Sequence, residues 1–204
     1  MLPYPDIDPV AVSLGPIQVH WYGLAYLAGL AFAWWLGVRR SARPDVPLSR
    51  AQVDDLIFFS ALGVVLGGRI GYALFYGGER LMQDPLWLLR VWQGGMSFHG
   101  AVAWFARSRG LAFGAVLDLA ALLTPMGLAL GRLGNFIGQE LWGRPTDVPW
   151  AMVFPADPLQ LARHPSQLYQ FALEGVLLFV ILLLFSARPR PTWATSGLFA
   201  LGYG

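Results

Sequence analysis

An apolar run that leads into charged residues limits what this chain can fold into more than any other feature. Residues 117–130 contain only Asp118, Thr124 and Pro125 as polar or helix-breaking residues, and segment 131–144 (GRLGNFIGQELWGR) follows directly. A charged side chain at bilayer depth costs roughly 3 kcal/mol or more, so such residues usually face a cavity and mark a functional position. The run therefore predicts a membrane-buried helix with a functional polar end.

Three polar residues of segment 131–144 are spaced three and four apart, so on a helix Arg132, Asn135 and Gln139 would share one face. Arginine provides a planar fork of donors and the two amides add neutral donors, a combination that suits a phosphate group. The glycines of the segment allow close contact between helices, or between a ligand and the backbone. The alternative from this segment alone is a polar zipper that only locks two transmembrane helices together.

Composition places the chain among integral membrane proteins. Of its 204 residues, 56% are hydrophobic and only 13% are charged, the mean hydropathy is +0.52, and a soluble domain usually has about 25% charged residues. All 14 basic residues are arginines at loop ends and within apolar stretches, whereas a nucleic-acid-binding protein needs a clustered basic face. Cysteine is absent, so the chain has neither disulfides nor a thiolate nucleophile of its own. We expect an all-α fold, a polytopic membrane helix bundle.

The apolar stretches predict about six spans within a single membrane domain that covers residues 1–204. A span needs roughly 20 residues. The predicted spans are residues 19–38, 56–76, 94–106, 116–137, 167–185 and a last stretch from Trp193 onward. Residues 1–9 carry no basic residue, so we do not expect a cleaved secretory signal. The third stretch is shorter than a usual span and either re-enters the membrane or begins earlier, near Leu86.

Arginines are distributed unequally between the two predicted sides of the membrane. The loops after spans one, three and five carry eight arginines, and the loops on the other side carry four. The remaining two, Arg69 and Arg132, lie inside spans. Because cytoplasmic loops are richer in basic residues, the N-terminus is expected outside, and the loop with Glu140 and His164 is expected to be external. This orientation requires that the short third stretch crosses the membrane.

Segment 131–144 resembles the signature of the prolipoprotein diacylglyceryl transferase family. Five further segments resemble that family in the same order along the chain. They are residues 20–24 (HWYGL), 66–72 (LGGRIGY), 94–100 (GGMSFHG), 164–169 (HPSQLY) and 197–204 (GLFALGYG). The resemblance implies transfer of a diacylglyceryl group from phosphatidylglycerol to the lipobox cysteine thiol of a bacterial prolipoprotein, in the cytoplasmic (inner) membrane. It implies the lipid bilayer and the prolipoprotein signal peptide as partners, and no metal, other cofactor or nucleic acid.

The resemblance also implies roles for individual residues. Catalysis is assigned to His99, Arg132 and Tyr22, with Arg132 holding the lipid phosphate and His99 helping the thiol to lose its proton. The substrate-binding residues implied are Arg69, Arg132, Asn135, Glu140, Gly143, His164 and Tyr203. No metal ligand is implied.

From residue type alone, each of these positions also has a structural interpretation. Tyr22 suits an aromatic belt at the membrane surface, Arg69 suits snorkelling towards the interface, and His99 suits a hydrogen-bonding tether. His164 precedes a span that Ser166 could cap.

Glu174, inside the fifth predicted span, needs a partner or a proton, and Arg69 and Arg132 are the available charge partners.

The chain departs from the family pattern at three places. Gly138 stands where the family usually has asparagine, and the interval from His99 to Arg132 is several residues short. The family pattern continues beyond Gly204 to a further arginine and a seventh span, so we expect the sequence to be incomplete at its C-terminal side.

Two other functions are left open: a small transporter or channel lined by the intramembrane charges, and a non-catalytic membrane assembly factor.

Overall fold

In a computed structural model the chain is mostly helical. The structure describes residues 2–5, 7–75 and 98–203, and at residues 17, 63–75, 98–101 and 104 it describes the backbone only. The helices are α1 (Trp21–Ser41), α2 (Arg50–Phe75), α3 (Phe98–Ser108), α4 (Phe113–Ile137), α5 (Ser166–Gln170), the π-helix π1 (Phe171–Leu177), α6 (Leu178–Phe185) and α7 (Ala194–Tyr203). The strands are β1 (Val10–Leu14), β2 (Ile17–His20), β3 (Met152–Val153) and β4 (Ala162–Arg163).

Within the described residues, three helices are long and apolar enough to cross a membrane: Trp21–Ser41, Phe113–Ile137 and the continuous helix Ser166–Phe185. They lie where the first, fourth and fifth spans were predicted, which confirms a predominantly helical fold with helices suited to a bilayer. The number of six spans and the outside position of the N-terminus stay predictions. The interfacial segment predicted at residues 79–93 lies outside the described residues.

Two short antiparallel hairpins depart from the all-α prediction. Strands β1 and β2 pair through Leu14 and Ile17 across a two-residue turn, in which Gly15 has a φ of 62° that suits glycine. Strand β2 leads directly into α1, so this hairpin fixes where the first helix begins. Strands β3 and β4 pair inside the proline-rich loop before α5. Each strand has only two to five residues, too few to produce a clear alternating pattern in the sequence.

The chain forms two compact units, residues 1–35 with 120–204 and residues 36–119. In the first unit, α1 and α4 touch at two places: a Cβ added at Gly29 would lie 3.1 Å from the Cα of Gly127, and one added at Gly134 would lie 2.8 Å from the Tyr22 ring. The two contacts are seven residues apart on each helix and run in opposite chain directions, so the helices are antiparallel. Small residues at such crossings let two backbones approach closely.

The remaining helices of this unit use glycine in the same way. Gly175 of π1 lies so close to Ala129 of α4 that its added Cβ would meet that residue's side chain and backbone. On α7, Gly202 packs against the Leu178 side chain. Helix α4 therefore contacts both α1 and the helix that begins at Ser166, and the connection of α4 to α5 brings the end of one helix near the start of the next.

Aromatic residues close the C-terminal end of α4. Phe136, Met152 and Phe154 are buried together, and Tyr4 packs against them. The Tyr4 hydroxyl donates to the carbonyl of Phe136 at 2.8 Å and also lies 3.2 Å from that of Ile137. These are carbonyls of the last helical turn, which have no partner within the helix. The cluster thus holds the N-terminal segment and the β3–β4 loop against the end of α4.

In the second unit, α2 packs against α3, with the rings of Phe59 and Phe105 6.5 Å apart. Arg109 and Asp55 form an ion pair at 2.6 Å, but both side chains are about 40% exposed, so the pair stabilises this unit little. The backbones of Arg69 and His99 lie on α2 and α3 respectively. Their side chains lie outside the described residues, as does the beginning of the third predicted stretch before Phe98.

The fifth predicted span is not a regular α-helix, because residues Phe171–Leu177 form a π-helix. Glu174 lies in this segment and is half-buried. Within the described residues Glu174 makes no ion pair, so Arg132, one of its two available charge partners, does not pair with it. The other expected partner, Arg69, has no described side chain.

Candidate active site

Asn135 and Glu140 connect the end of α4 to the chain that follows it. Asn135 is 7% exposed, and its Nδ2 lies 3.4 Å from Oε2 of Glu140, a long hydrogen bond. Arg132, one turn earlier, is half-buried, and within the described part of the chain it forms no hydrogen bond or ion pair. A guanidinium without a protein partner keeps its fork of donors available to an anionic ligand.

The prediction that Arg132, Asn135 and Gln139 share one helical face is wrong for Gln139, because this residue is not on the helix. Helix α4 ends at Ile137, and Gln139 has a left-handed φ of 56°. Its Oε1 accepts a hydrogen bond from the backbone N–H of Ala156 at 2.8 Å. Gln139 therefore anchors the loop instead of extending the face of Arg132 and Asn135.

Tyr22, in the first turn of α1, lies directly against α4. Its ring and its Cα would be 2.8 Å and 3.3 Å from a Cβ at Gly134, so only glycine fits there without a shift of one helix. The Tyr22 hydroxyl lies 3.1 Å from that of Tyr26, and the two rings meet edge to face with centroids 4.9 Å apart. Tyr22 is 41% exposed, as an aromatic belt residue would be, but its contacts also place it beside Asn135.

A cavity of about 370 Å³ opens at this end of the helices. Its lining includes His20, Tyr22, Gly23, Gly134, Gly138 and Glu140. The structure thus brings Tyr22 and Glu140 to one space, with Asn135 bound to Glu140 behind it. Where the family usually has asparagine, a Cβ at Gly138 would lie 3.8 Å from the Glu140 side chain, so glycine leaves this side of the carboxylate uncovered.

The segment from Glu140 to Gly143 is held by the start of α5. The Gln167 side chain donates through Nε2 to the Glu140 carbonyl at 2.6 Å, and the Ser166 hydroxyl donates to the Leu141 carbonyl at 2.9 Å. The interpretation of Ser166 as a helix cap is therefore wrong, because its hydroxyl satisfies the neighbouring segment and makes no capping bond in its own helix.

Gly143 lies against His164. Its N–H donates to the His164 carbonyl at 2.9 Å, and an added Cβ would lie 2.9 Å from both the Cβ and the carbonyl oxygen of His164. Gly143 is thus explained as a point of close approach between two backbones. Together with the two side-chain bonds of α5, this contact fixes the position of Glu140 at the cavity.

Asp157 and Arg163 form a buried pair that the sequence did not reveal. Asp157 is 1% exposed and accepts from Nε and Nη2 of Arg163 at 2.6 and 3.2 Å, and from the backbone N–H groups of Leu159 and Leu161. The hydrogen-bonded Arg163 guanidinium lowers the pKa of Asp157 to about 2, and Asp157 in turn raises the pKa of Arg163.

Arg163 also reaches the motif segment. Its Nη1 lies 3.5 Å from the Gly143 carbonyl, and its guanidinium carbon lies 5.9 Å from the centre of the Trp142 ring. The Asp157–Arg163 pair therefore holds the β3–β4 loop against Trp142 and Gly143, which lie next to Glu140 and His164.

His164 is the end of a chain of three side chains. Its Nδ1 lies 3.0 Å from the Tyr169 hydroxyl, which accepts from Nε1 of Trp150 at 2.6 Å. The sequence placed His164 and Tyr169 in one segment, but nothing in it connected them to Trp150.

Of the predicted site residues, Tyr22 and Glu140 line the cavity, whereas Arg132, Asn135, Gly143 and His164 are not among its lining residues. Tyr203 stacks on Phe199 of α7, with centroids 5.5 Å apart, and is not among the residues that line the cavity. The side chains of Arg69 and His99 lie outside the described residues. Their roles stay predictions.

Known proteins are similar to this chain over its whole length. The family model for prolipoprotein diacylglyceryl transferase matches residues 9–204. Two relatives, both named phosphatidylglycerol–prolipoprotein diacylglyceryl transferase, come from Ectopseudomonas mendocina and Azotobacter vinelandii. They are 58% and 59% identical, over 100% of this chain and 79% and 80% of their own lengths. A relative of the same name from Pseudomonas savastanoi is 57% identical over 79% of its length. Since the matched region contains every motif described above, the chain belongs to the prolipoprotein diacylglyceryl transferase family.

Proposed function

We propose that this chain transfers the diacylglyceryl group of phosphatidylglycerol to the lipobox cysteine thiol of bacterial prolipoproteins, the first step of lipoprotein maturation. The observation that carries the proposal is the grouping of Tyr22, Asn135 and Glu140 at one end of three apolar helices. All three residues lie inside the region that the family model matches. Nothing in the comparisons favours a transporter, a channel or an assembly factor.

The reaction replaces a carbon–oxygen bond by a carbon–sulfur bond. The cysteine sulfur attacks the glyceryl carbon that carries the phosphate ester, the bond from that carbon to oxygen breaks, and glycerol phosphate leaves with the bonding electrons. The chain has no cysteine, so the thiol comes from the prolipoprotein. A free thiol has a pKa of about 8.5 and attacks as the thiolate, so a base is needed.

Arg132 suits the role of phosphate clamp. It stands half-buried at the end of a helix suited to the bilayer, and the described residues offer its guanidinium no partner. Two directed donors on a phosphate would stabilise the charge that develops on the leaving group. Asn135 stands one turn further along and adds a neutral donor.

The other residues complete the proposed site. Glu140, fixed by Asn135 and Gln167, would orient Arg132 or bind the peptide backbone, and Gly143 lets His164 approach this segment. Tyr22 would contribute its hydroxyl to the cavity wall. His99 is the proposed base, and Arg69 and Tyr203 are proposed further contacts to the substrates.

We also propose a placement in the membrane. The whole chain would be one membrane domain of the bacterial cytoplasmic (inner) membrane with about six spans, and its N-terminus would be outside. The start of α1, the end of α4 and the start of α5 lie at one end of the first unit. Together with the arginine distribution, this supports a site that opens to the outer side.

The direct test mixes the purified chain with phosphatidylglycerol and a lipobox-cysteine peptide, beside a peptide with serine in place of the cysteine. A mass gain of one diacylglyceryl group on the cysteine peptide alone is the expected result. Gain on neither peptide by a folded chain would contradict the proposal. Solute flux measured in sealed vesicles would then test the transporter alternative.

A further inference from the structure

Three side chains from two parts of the chain form a hydrogen-bond relay beside the proposed site. Trp150 lies in the loop after α4, Tyr169 lies in α5, and His164 lies two residues before that helix begins. The indole Nε1 of Trp150 is 2.6 Å from the Tyr169 oxygen, and that oxygen is 3.0 Å from Nδ1 of His164. The rings of His164 and Tyr169 also meet at 5.8 Å.

The relay has a preferred direction. An indole N–H is a donor only, so the Tyr169 oxygen must accept from Trp150. The single hydroxyl hydrogen of Tyr169 then remains available to His164 Nδ1, and in that arrangement Nδ1 accepts and the proton of the neutral imidazole lies on Nε2. In the opposite arrangement the Tyr169 hydrogen would need a third partner, and none exists among the described residues. A second hydrogen bond of this kind is what sets the tautomer of a histidine.

His164 lies close to the start of a helix that is long and apolar enough to span a bilayer, and the ends of such a helix come to the headgroup region. His164 precedes Ser166, where a helix suited to a bilayer begins, and its side chain is half-buried. Its Nε2 has no partner among the described residues and is not enclosed. The contact of His164 with Gly143 connects it to the segment that carries Glu140 to the cavity.

We propose that Trp150 and Tyr169 are positioning residues that hold His164 as its Nε2–H tautomer, and that this N–H donates to a phosphate oxygen of the phosphatidylglycerol headgroup. The second half of the proposal rests on the proposed function, and the first half does not. His164 acts as a hydrogen-bond donor, and no proton leaves it during the reaction.

The tautomer is tested by nitrogen-15 NMR of the full chain labelled at histidine. We expect a protonated Nε2 and an unprotonated Nδ1 at His164, and a mixture of tautomers in Trp150→Phe and Tyr169→Phe. Trp193→Phe is the matched control, because Trp193 is also exposed, at 53% against 49% for Trp150, and lies after α6. A protonated Nδ1 in the unchanged chain, or an unaltered tautomer in both relay variants, would overturn the positioning role.

The contact with the phosphatidylglycerol headgroup is tested with the same nitrogen-15 NMR signal of His164. Adding phosphatidylglycerol to the chain in uncharged detergent should shift the Nε2–H resonance of His164, and adding diacylglycerol, which lacks the phosphate, should not. This readout does not depend on turnover, so it separates failure of the headgroup contact from failure of the proposed reaction. Equal shifts with both lipids, or none with either, would contradict the contact.

Turnover separates donation from proton transfer. The amide nitrogen of glutamine reaches about as far as Nε2, whereas that of asparagine reaches only about as far as Nδ1. His164→Gln should therefore keep the KM for phosphatidylglycerol within about threefold, and His164→Asn should raise it about tenfold or more with a smaller change in kcat. If both variants lowered kcat equally at unchanged KM, His164 would be a proton carrier. If only the KM for the peptide rose, the acceptor would be a peptide carbonyl, and either result overturns the proposal.

Discussion

Tyr22 lies on Gly134 so closely that a methyl group at position 134 would come within 2.8 Å of the tyrosine ring and 3.3 Å of its Cα. The contact joins the first turn of α1 to the last turns of α4 and sets Tyr22 beside Asn135. Because part of the obstruction is backbone, a rotation of the tyrosine side chain would not relieve it.

Gly134→Ala is therefore expected to lower stability by about 1–3 kcal/mol through overpacking and to reduce transferase activity, because Tyr22 must move. Thermal unfolding in detergent and the lipobox-peptide assay measure the two effects. Gly131→Ala is the matched control, since an added Cβ there meets nothing within 4 Å. Alanine favours a helix over glycine by about 1 kcal/mol, so this control should be neutral or stabilising. Equal behaviour of the two variants would contradict the packing argument.

Arg132→Lys should nearly abolish turnover if Arg132 clamps the lipid phosphate, because an ammonium is a point charge and cannot supply two directed donors. Initial rates at varied phosphatidylglycerol concentration measure the effect. Arg144→Lys makes the same change at an exposed position, whereas Arg132 is half-buried, and this variant should retain activity. Near-normal rates in Arg132→Lys would remove the clamp role.

His99→Gln should lose most activity between pH 6 and 8 if His99 takes the thiol proton, since glutamine can hold a hydrogen bond but cannot accept a proton in this range. A peptide thiol that is already ionised at higher pH should restore part of the rate. The pH profile of kcat/KM measures both expectations. Full activity of the variant across the whole range would mean that His99 is only a tether.

Asp157→Asn should loosen the loop between β3 and β4 at neutral pH. The pKa of Asp157 is about 2 in the folded chain, below its usual 3.8, because Arg163 donates to its ionised form. The stabilisation is therefore complete above about pH 4 and is lost as the pH falls from about 4 towards 2. Limited proteolysis of the loop against pH measures this, and the variant should lack the acid step that the unchanged chain shows.

Asp45→Asn provides the comparison for this experiment. Asp45 also pairs with an arginine, Arg43 at 2.9 Å, but both side chains are more than a fifth exposed. Exposed pairs contribute little, so this variant should change protection much less than Asp157→Asn. If the loop of Asp157→Asn were as well protected as that of the unchanged chain, the buried pair would not brace it.

The sequence predicted the parts of the fold that depend on long apolar runs. The first, fourth and fifth spans appear as helices within about three residues of their expected ends, because burial in a bilayer demands length and hydrophobicity that are visible locally. The grouping of Tyr22 with Glu140 followed from the family resemblance. This grouping requires that α1 and α4 lie antiparallel and in contact, and the close contacts at Gly29 and Gly134 produce that arrangement.

The parts that sequence reasoning missed depend on contacts between distant residues. Gln139 leaves the helix because α4 ends at Ile137, where Tyr4 satisfies its last carbonyls from more than 130 positions away. Trp150 meets Tyr169 only because the loop folds back on α5. Asp157 and Arg163 are charged residues in a polar loop, and their burial arises from packing that no local pattern reports.

The π-helix of residues 171–177 gives the last long helix two different phases. In a π-helix the backbone hydrogen bond joins residues five apart, whereas in an α-helix it joins residues four apart. The π-helical segment therefore inserts about one extra residue, and one residue corresponds to about 100° of rotation around the helix axis. The face that carries Gln167 towards Glu140 therefore does not continue in line with the face that carries Leu178 towards Gly202. One helix can thus contact both the Glu140 segment and α7, which an unbroken α-helix could not face at the same time. Removing a single residue from the π-helix would rotate one of these two contacts out of place.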